Sequence, residues 1–154
     1  MDNFLDKFFF RSRNLKHISQ NIKDITIQTP ANKIFDAINS FSEKSEVRYV
    51  GGFIRKIVKK EVIDDIDLAT NLKPSEVCEA LKNKDINFYE TGIEHGTVTA
   101  IIDEYKYEIT SLRKDLITDG RHAKVEFSSD WKEDSLRRDF SINSIYSDQD
   151  GNLF

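Results

Sequence analysis

Asp64-Asp65-Ile66-Asp67-Leu68-Ala69-Thr70 alternates carboxylate and aliphatic side chains from Asp65 to Leu68. In a β-strand, residues i and i+2 point to the same face. A strand here turns Ile66 and Leu68 into a core and leaves Asp65 and Asp67 side by side on the open face. Two carboxylates that close repel each other, so a positive charge is expected between them. A hard divalent cation with oxygen ligands, Mg²⁺ above all, suits that place. In isolation, the plainer reading of such a stretch is a turn with two solvated aspartates.

The residues upstream favour the cation. Val47-Arg48-Tyr49-Val50 reads as a short strand, Gly51-Gly52 interrupts it, and Phe53-Ile54-Arg55-Lys56-Ile57-Val58 begins a helix. A strand, a glycine pair and a helix N-terminus form an anion site. Glycine allows close approach to the backbone, and the free N–H groups and the helix dipole favour negative charge. Arg55, in the first turn, adds a bidentate donor. With a two-aspartate strand following, this combination suggests a triphosphate held between backbone amides and a carboxylate-bound metal.

The bulk properties narrow the setting. A chain of 154 residues suits one domain and buries about 68–70% of its unfolded surface. Charged residues make up 32% of it and apolar ones 38%. No apolar run approaches the roughly 20 residues needed to cross a bilayer, so no membrane partner is expected. Phe8-Phe9-Phe10 is too short for a signal-peptide core, and Asp2 and Asp6 argue against a transit peptide. One cysteine, Cys78, excludes an internal disulfide and fits a reducing, cytoplasmic setting. The scattered histidines offer no zinc site. A net charge of −4 is not the footprint of an autonomous nucleic-acid binder.

Along the rest of the chain, Asp2–Phe10 is expected to form a short helix and Arg11–Lys16 is basic. Residues 1–25 thus read as a docking arm or loose terminus. Thr29-Pro30 starts a helix, with a hydroxyl cap and proline at the first helical position. Ile34, Phe35, Ile38 and Phe41 make its core stripe. Pro74 opens another helix with Val77, Cys78 and Leu81 inward; Cys78 is a small hydrophobe there, not a nucleophile. Ile86–Tyr89 is a strand, and Gly92–Gly96 a loop in which His95 is a poor candidate base. Thr97–Ile102 and Tyr105–Leu112 flank Asp103-Glu104 as a hairpin. In its second strand Tyr107 and Ile109 share the core face and Glu108 the other. If this strand lies beside Asp65–Thr70, Glu108 supplies a third carboxylate; otherwise it is an exposed cross-strand glutamate. Arg113–Ser129 is expected to be a mobile loop. Asp130 caps a helix to about Asp139 whose Glu133–Arg137 and Asp134–Arg138 spacings suit surface ion pairs. Ile142, Ile145 and Tyr146 continue as a strand before a turn at Asp150-Gly151.

Several of these stretches together resemble a known family. Gly51-Gly52-Phe53-Ile54-Arg55 is followed by Asp65-Ile66-Asp67-Leu68-Ala69-Thr70 and Gly92-Ile93-Glu94-His95-Gly96-Thr97-Val98. Then come Tyr107-Glu108-Ile109-Thr110-Ser111-Leu112-Arg113, Asp119-Gly120-Arg121-His122 and Arg137-Arg138-Asp139-Phe140-Ser141-Ile142-Asn143. In this order, over roughly residues 46–154, they resemble the head domain of class II tRNA nucleotidyltransferases and bacterial poly(A) polymerases. The resemblance implies an α/β (α+β) head of the polymerase-β nucleotidyltransferase type over residues 26–154. Its sheet would be mixed, with helices packed on one side, and residues 1–25 would be an arm or short helix before it.

The resemblance also implies an activity: template-independent, metal-dependent transfer of nucleotides (CCA or A) from ATP or CTP to the 3′-hydroxyl of tRNA or another RNA. Asp65 and Asp67 would hold two Mg²⁺ ions, and Glu108 would complete the hydroxyl-activating site. Gly51, Gly52 and Arg55 would cradle the triphosphate. Arg113, Arg121 and His122 would contact the nucleotide from their loop, and Arg138 and Asp139 would brace its triphosphate or sugar side. The alternatives are a bacterial poly(A) polymerase head and a non-catalytic nucleotide-binding fragment or subunit. The family's base-selecting neck motif, of Glu-Asp-x-x-Arg type, has no counterpart in these residues, nor do its body and tail. A second chain carrying neck and body elements is therefore an expected partner. Lys56 stands where the family usually has aspartate.

Overall fold

The computed structural model describes residues 4–116, 124–138 and 141–154, with side chains from residue 14 onward except at 91, 124, 141 and 142. Five helices are described: α1 (Phe4–Gln28), α2 (Ala31–Asn39), α3 (Gly52–Lys59), α4 (Pro74–Lys82) and α5 (Trp131–Leu136). The strands are β1 (Val47–Val50), β2 (Asp65–Thr70), β3 (Asn87–Gly92), β4 (Thr97–Ile102), β5 (Tyr105–Ser111), β6 (Arg113–Leu116), β7 (Lys124–Phe127) and β8 (Tyr146–Ser147).

Six strands form one mixed sheet in the order β3-β4-β5-β2-β1-β8. Only β2 and β5 pair in parallel; the remaining neighbours are antiparallel. Antiparallel strands join through tight hairpins, as β4 and β5 do around Asp103-Glu104, whereas a parallel pair needs a crossover. The segment α4-β3-β4 is that crossover, and it brings β5 alongside β2.

Alternation sorts the side chains. Val47, Tyr49, Ile66, Leu68, Val98, Ala100, Tyr107 and Ile109 turn to one face and are fully or almost fully buried. There they meet Ile22 of α1, Ile34, Phe35 and Ile38 of α2, Phe53, Ile54 and Ile57 of α3, and Val77, Ala80 and Leu81 of α4. Tyr49 is the pivot, its ring stacked on Phe53 at 4.3 Å, tilted against Phe35 at 4.9 Å, and its hydroxyl 2.8 Å from Thr26 Oγ1. On the opposite face, Trp131 at the start of α5 covers Val50, Ala69, Leu112 and Tyr146. That leaves the other end of this face, with Asp65, Asp67, Lys106 and Glu108, open.

Several expectations are corrected. The N-terminal helix runs to Gln28, because Ile18, Ile22 and Ile25 give it a buried stripe at helical spacing. Pro30 occupies the N-cap of α2 rather than its first turn, and the Thr29 hydroxyl serves the end of α1, donating to the Ile25 carbonyl at 2.8 Å. Within the expected mobile loop, β6 and β7 pair as an antiparallel ribbon from Arg113↔Phe127 to Leu116↔Lys124. The strand expected from Ile142 is a 3₁₀ turn, Ser141–Ser144, followed by the short β8. Arg121 and His122, the Asp119-Gly120 turn, and Asp139 lie outside the described residues.

Candidate active site

The glycine pair has two separate reasons to be glycine. Gly51 sits at φ 63° and ψ −123°, a conformation that side chains rarely adopt. Gly52 has an ordinary φ, but a Cβ on it would lie 2.7 Å from Asp67 Oδ2. The Asp67 carboxylate therefore stands where a side chain at this position would reach, and the Gly52 backbone also lines the cleft beside it. The Phe53 N–H, in the first turn of α3, also donates to that carboxylate.

The carboxylates occupy the open face in register. Asp67 lies across from Glu108 and Asp65 across from Lys106. Burial, and then the nearby Glu108, push the Asp67 carboxyl above the usual carboxylate range, although the Phe53 N–H and Lys56 act the other way. Lys106 Nζ stands 2.8 Å from Glu108 Oε1 and 3.8 Å from Asp65 Oδ1. Lys56 reaches Asp64 Oδ1 at 2.5 Å, and this contact holds Asp64 at a pKa of about 2. Lys56 thus pairs directly with Asp64 while its charge also favours the ionised Asp67.

Beside Asp67 opens a cleft of about 610 Å³ whose lining includes Gly51, Gly52, Arg55, Arg113, Arg137 and Arg138. Asp67, Asp115, Asn143 and the hydroxyl-bearing Thr97 and Thr110, which are 3.0 Å apart, complete its polar wall. The arginines outnumber the carboxylates, so the lining is net cationic. Arg113 Nε is buried and makes no hydrogen bond; its nearest carboxylate, Asp115, is 3.5 Å away. Burial, and then Arg137, lower the Arg113 pKa, with Asp115 and Asp134 acting the other way. Arg113 Nη1 donates to the His95 carbonyl at 2.8 Å, so His95 contributes backbone while its side chain stays in solvent.

Asp134 organises these arginines. It is completely buried, with Arg137 Nε and Nη2 both 2.9 Å from Oδ1 and Arg138 Nε and Nη2 3.1 and 3.0 Å from Oδ2. The Tyr146 hydroxyl donates to Oδ2 at 2.6 Å and the Arg113 N–H to Oδ1 at 3.2 Å. Burial opposes its charge, but Tyr146, Arg138 and Arg137 prevail and hold Asp134 below the usual carboxylate range. Spacing alone suggested a surface ion pair. The expected Glu133–Arg137 pair is not made, since Glu133 accepts from Ser128 Oγ and Arg137 turns to Asp134.

The structure thus gathers Gly51, Gly52, Arg55, Asp67, Arg113 and Arg138 in one cleft, with Asp65 and Glu108 on the adjoining sheet face. Asp134, Arg137, Asn143 and the threonine pair are the additions that sequence reasoning missed. Among the described residues, no group of three or more His, Cys, Asp or Glu side chains is placed to hold a metal ion. That does not disfavour Mg²⁺, which is usually bound by one or two carboxylates together with substrate phosphates. Asp65 and Asp67, on the same strand face, fit that mode.

The comparisons agree with this fold. Residues 47–154 match the family model described as the poly A polymerase head domain. The human mitochondrial CCA tRNA nucleotidyltransferase 1 is 43% identical over 113 residues, which cover 73% of this chain and 26% of that protein. Among solved structures, the Bacillus stearothermophilus CCA-adding enzyme in complex with CTP superposes with a TM-score of 0.64 at 28% identity, covering 79% of this chain and 27% of that one. A tRNA nucleotidyltransferase complexed with a primer tRNA and an incoming ATP analog gives 0.55 at 25% identity, over 73% and 31%. The chain therefore spans about a quarter of the length of the curated relatives it matches. It belongs to the poly A polymerase head-domain family, the head of CCA-adding enzymes and tRNA nucleotidyltransferases.

Proposed function

We propose that this chain is the catalytic head of a template-independent RNA nucleotidyltransferase that extends the 3′ end of tRNA from ATP and CTP. The observation that carries the reading is the placement of Asp67 opposite Glu108 at the edge of an arginine-lined cleft. In the reaction a 3′-hydroxyl gives up its proton to solvent and its oxygen bonds to the α-phosphorus of the nucleotide. The bond from that phosphorus to the bridging oxygen of the β-phosphate breaks, and pyrophosphate leaves. Arg55, Arg113 and Arg138 would hold the triphosphate, and the bracing role that the resemblance gives Asp139 falls outside the described residues. Gly52 leaves room for Asp67 to stand next to that triphosphate, and Glu108 completes the set on the hydroxyl side. Mg²⁺ held by Asp65 and Asp67 would supply Lewis-acid charge to the attacking and leaving oxygens. No covalent enzyme intermediate is needed, because positioning and charge neutralisation provide the acceleration.

CCA addition is preferred to poly(A) addition because both the human relative and the best-superposing structure cited above are CCA enzymes. Choosing between CTP and ATP requires hydrogen-bonding groups fixed against the base edge, and in the resembled family these lie on a neck element outside residues 47–154. The head alone is therefore proposed to bind nucleotides with little base preference and to depend on neck and body elements. Cys78 is half-buried and donates to Glu90, and burial raises its pKa, which disfavours a reactive thiolate. No helix among the described residues is long and apolar enough to cross a membrane.

The test is a chimera in which this chain replaces the head of a bacterial CCA-adding enzyme, assayed by primer extension on tRNA lacking its 3′ end. The chimera is expected to add CCA and to lose that addition with Asp65→Ala plus Asp67→Ala, while the isolated chain adds few or no nucleotides. A folded, tRNA-binding chimera that adds nothing would contradict a catalytic role. Ordered CCA addition by the isolated chain would overturn the dependence on neck and body.

A further inference from the structure

Lys106 lies on the same strand face as Glu108, and the parallel register seats it directly beside Asp65. Its ammonium bridges the two carboxylates, 2.8 Å from Glu108 Oε1 and 3.8 Å from Asp65 Oδ1. The cations of the cleft lie elsewhere: Arg55, Arg113, Arg137 and Arg138 line it around Gly51 and Asp67, and Lys56 is turned onto Asp64. At the carboxylate end of the sheet face, Lys106 alone among the described residues reaches both Asp65 and Glu108. It is also the wrong residue for a permanent structural bridge. Its side chain is 44% exposed, and a lysine head is a compact charge on a flexible four-carbon stem, free to move into solvent without disturbing the core.

We propose that Lys106 is a displaceable counter-ion of the carboxylate site: it neutralises Asp65 and Glu108 while no divalent ion is present and gives way when one enters. Held there, the ammonium limits repulsion across the β2–β5 pair and keeps Glu108 turned toward the site. It also repels an incoming divalent cation and occupies carboxylate oxygens that the cation needs. Free metal is thereby admitted weakly. A metal arriving with a triphosphate brings compensating negative charge, is repelled less, and gains phosphate oxygens as ligands. The lysine so favours loading of metal and nucleotide together.

The inference rests on the proposed reading that Asp65 and Asp67 take a divalent ion, and its test separates the two. Mn²⁺ binding in the absence of nucleotide is measured by the electron paramagnetic resonance signal of the free ion. The intact chain is compared with Lys106→Met, Lys106→Gln, Lys106→Arg and Asp67→Asn. Exposed ion pairs are individually weak, so removing the charge is expected to tighten Mn²⁺ binding by about threefold to tenfold. Met and Gln should behave alike, Arg should stay near the parent value, and Asp67→Asn should abolish the binding. Unchanged or weaker affinity in folded Lys106→Met and Lys106→Gln, with Asp67-dependent binding in the parent, would overturn the role of Lys106 and leave the metal site standing. Absence of any Asp67-dependent Mn²⁺ binding in all variants would overturn both.

Discussion

Gly51 and Gly52 are neighbours with different physical duties, so their substitutions should fail differently. Gly51→Ala forces a side chain into a positive-φ conformation, which costs about 1–3 kcal/mol, while its Cβ would meet nothing closer than Arg138 Nη1 at 3.8 Å. The expected result is a lower melting temperature with nucleotide binding retained in the folded fraction. Gly52→Ala is unstrained in φ, but its Cβ would displace the Asp67 carboxylate from 2.7 Å. Thermal melts should show a folded protein, and calorimetry should show that metal no longer tightens its ATP binding. If Gly52→Ala binds metal and ATP like the parent, the packing of Asp67 against this position is not what the site requires. Lys56 illustrates the same lesson, that a side chain's nearest partner sets its role. Its ion pair with Asp64 fixes where its charge stands beside the site.

Among the elements, α5 shows how positioning is achieved and where sequence reading stops. Asp130 caps the helix through hydrogen bonds from the Lys132 and Glu133 N–H groups, and Asp134 then locks Arg137 and Arg138 from inside. Asp134→Ala should destabilise the fold by about 3–5 kcal/mol by leaving buried cations unpaired, readable in urea denaturation. Because the folded pKa of Asp134 lies below its unfolded value of about 3.9, its stabilisation is complete above that pH and is lost as pH falls through the folded pKa. The melting-temperature gap between the parent and Asp134→Asn should therefore narrow below about pH 4. A gap independent of pH would exclude the charge as its cause. Spacing gave the Asp134–Arg138 pair, but not its burial or its bonds from the Arg113 N–H of β6 and the Tyr146 hydroxyl, which come from other elements. By contrast, β1, β2, β4 and β5 were legible because alternation records which face is buried, and that same alternation placed Asp65, Asp67 and Glu108. The β6–β7 ribbon escaped notice because its side chains are mostly exposed and carry no such record. The extent of α1 was present in the spacing of Ile18, Ile22 and Ile25 but was masked by the charged residues between them.

Taken together, the chain is an arginine-lined cleft laid against an acidic sheet face, held by a single helical layer that buries the opposite face. Its net charge of −4 leaves little general attraction for an RNA backbone, whose binding depends on lysine and arginine. The arginines are concentrated where one triphosphate fits, which argues for nucleotide binding as the head's own contribution and for RNA grip supplied by other elements. Everything proposed for this head depends on one coupling, that between divalent metal and triphosphate through Asp65 and Asp67. Isothermal calorimetry of ATP binding with and without Mg²⁺, on the intact chain and on Asp65→Ala plus Asp67→Ala, measures it. Mg²⁺ should tighten ATP binding to the intact chain at least tenfold, a coupling of about 1.4 kcal/mol, and should have no such effect on the double variant. Equal ATP affinities in the two proteins, with and without Mg²⁺, would contradict it.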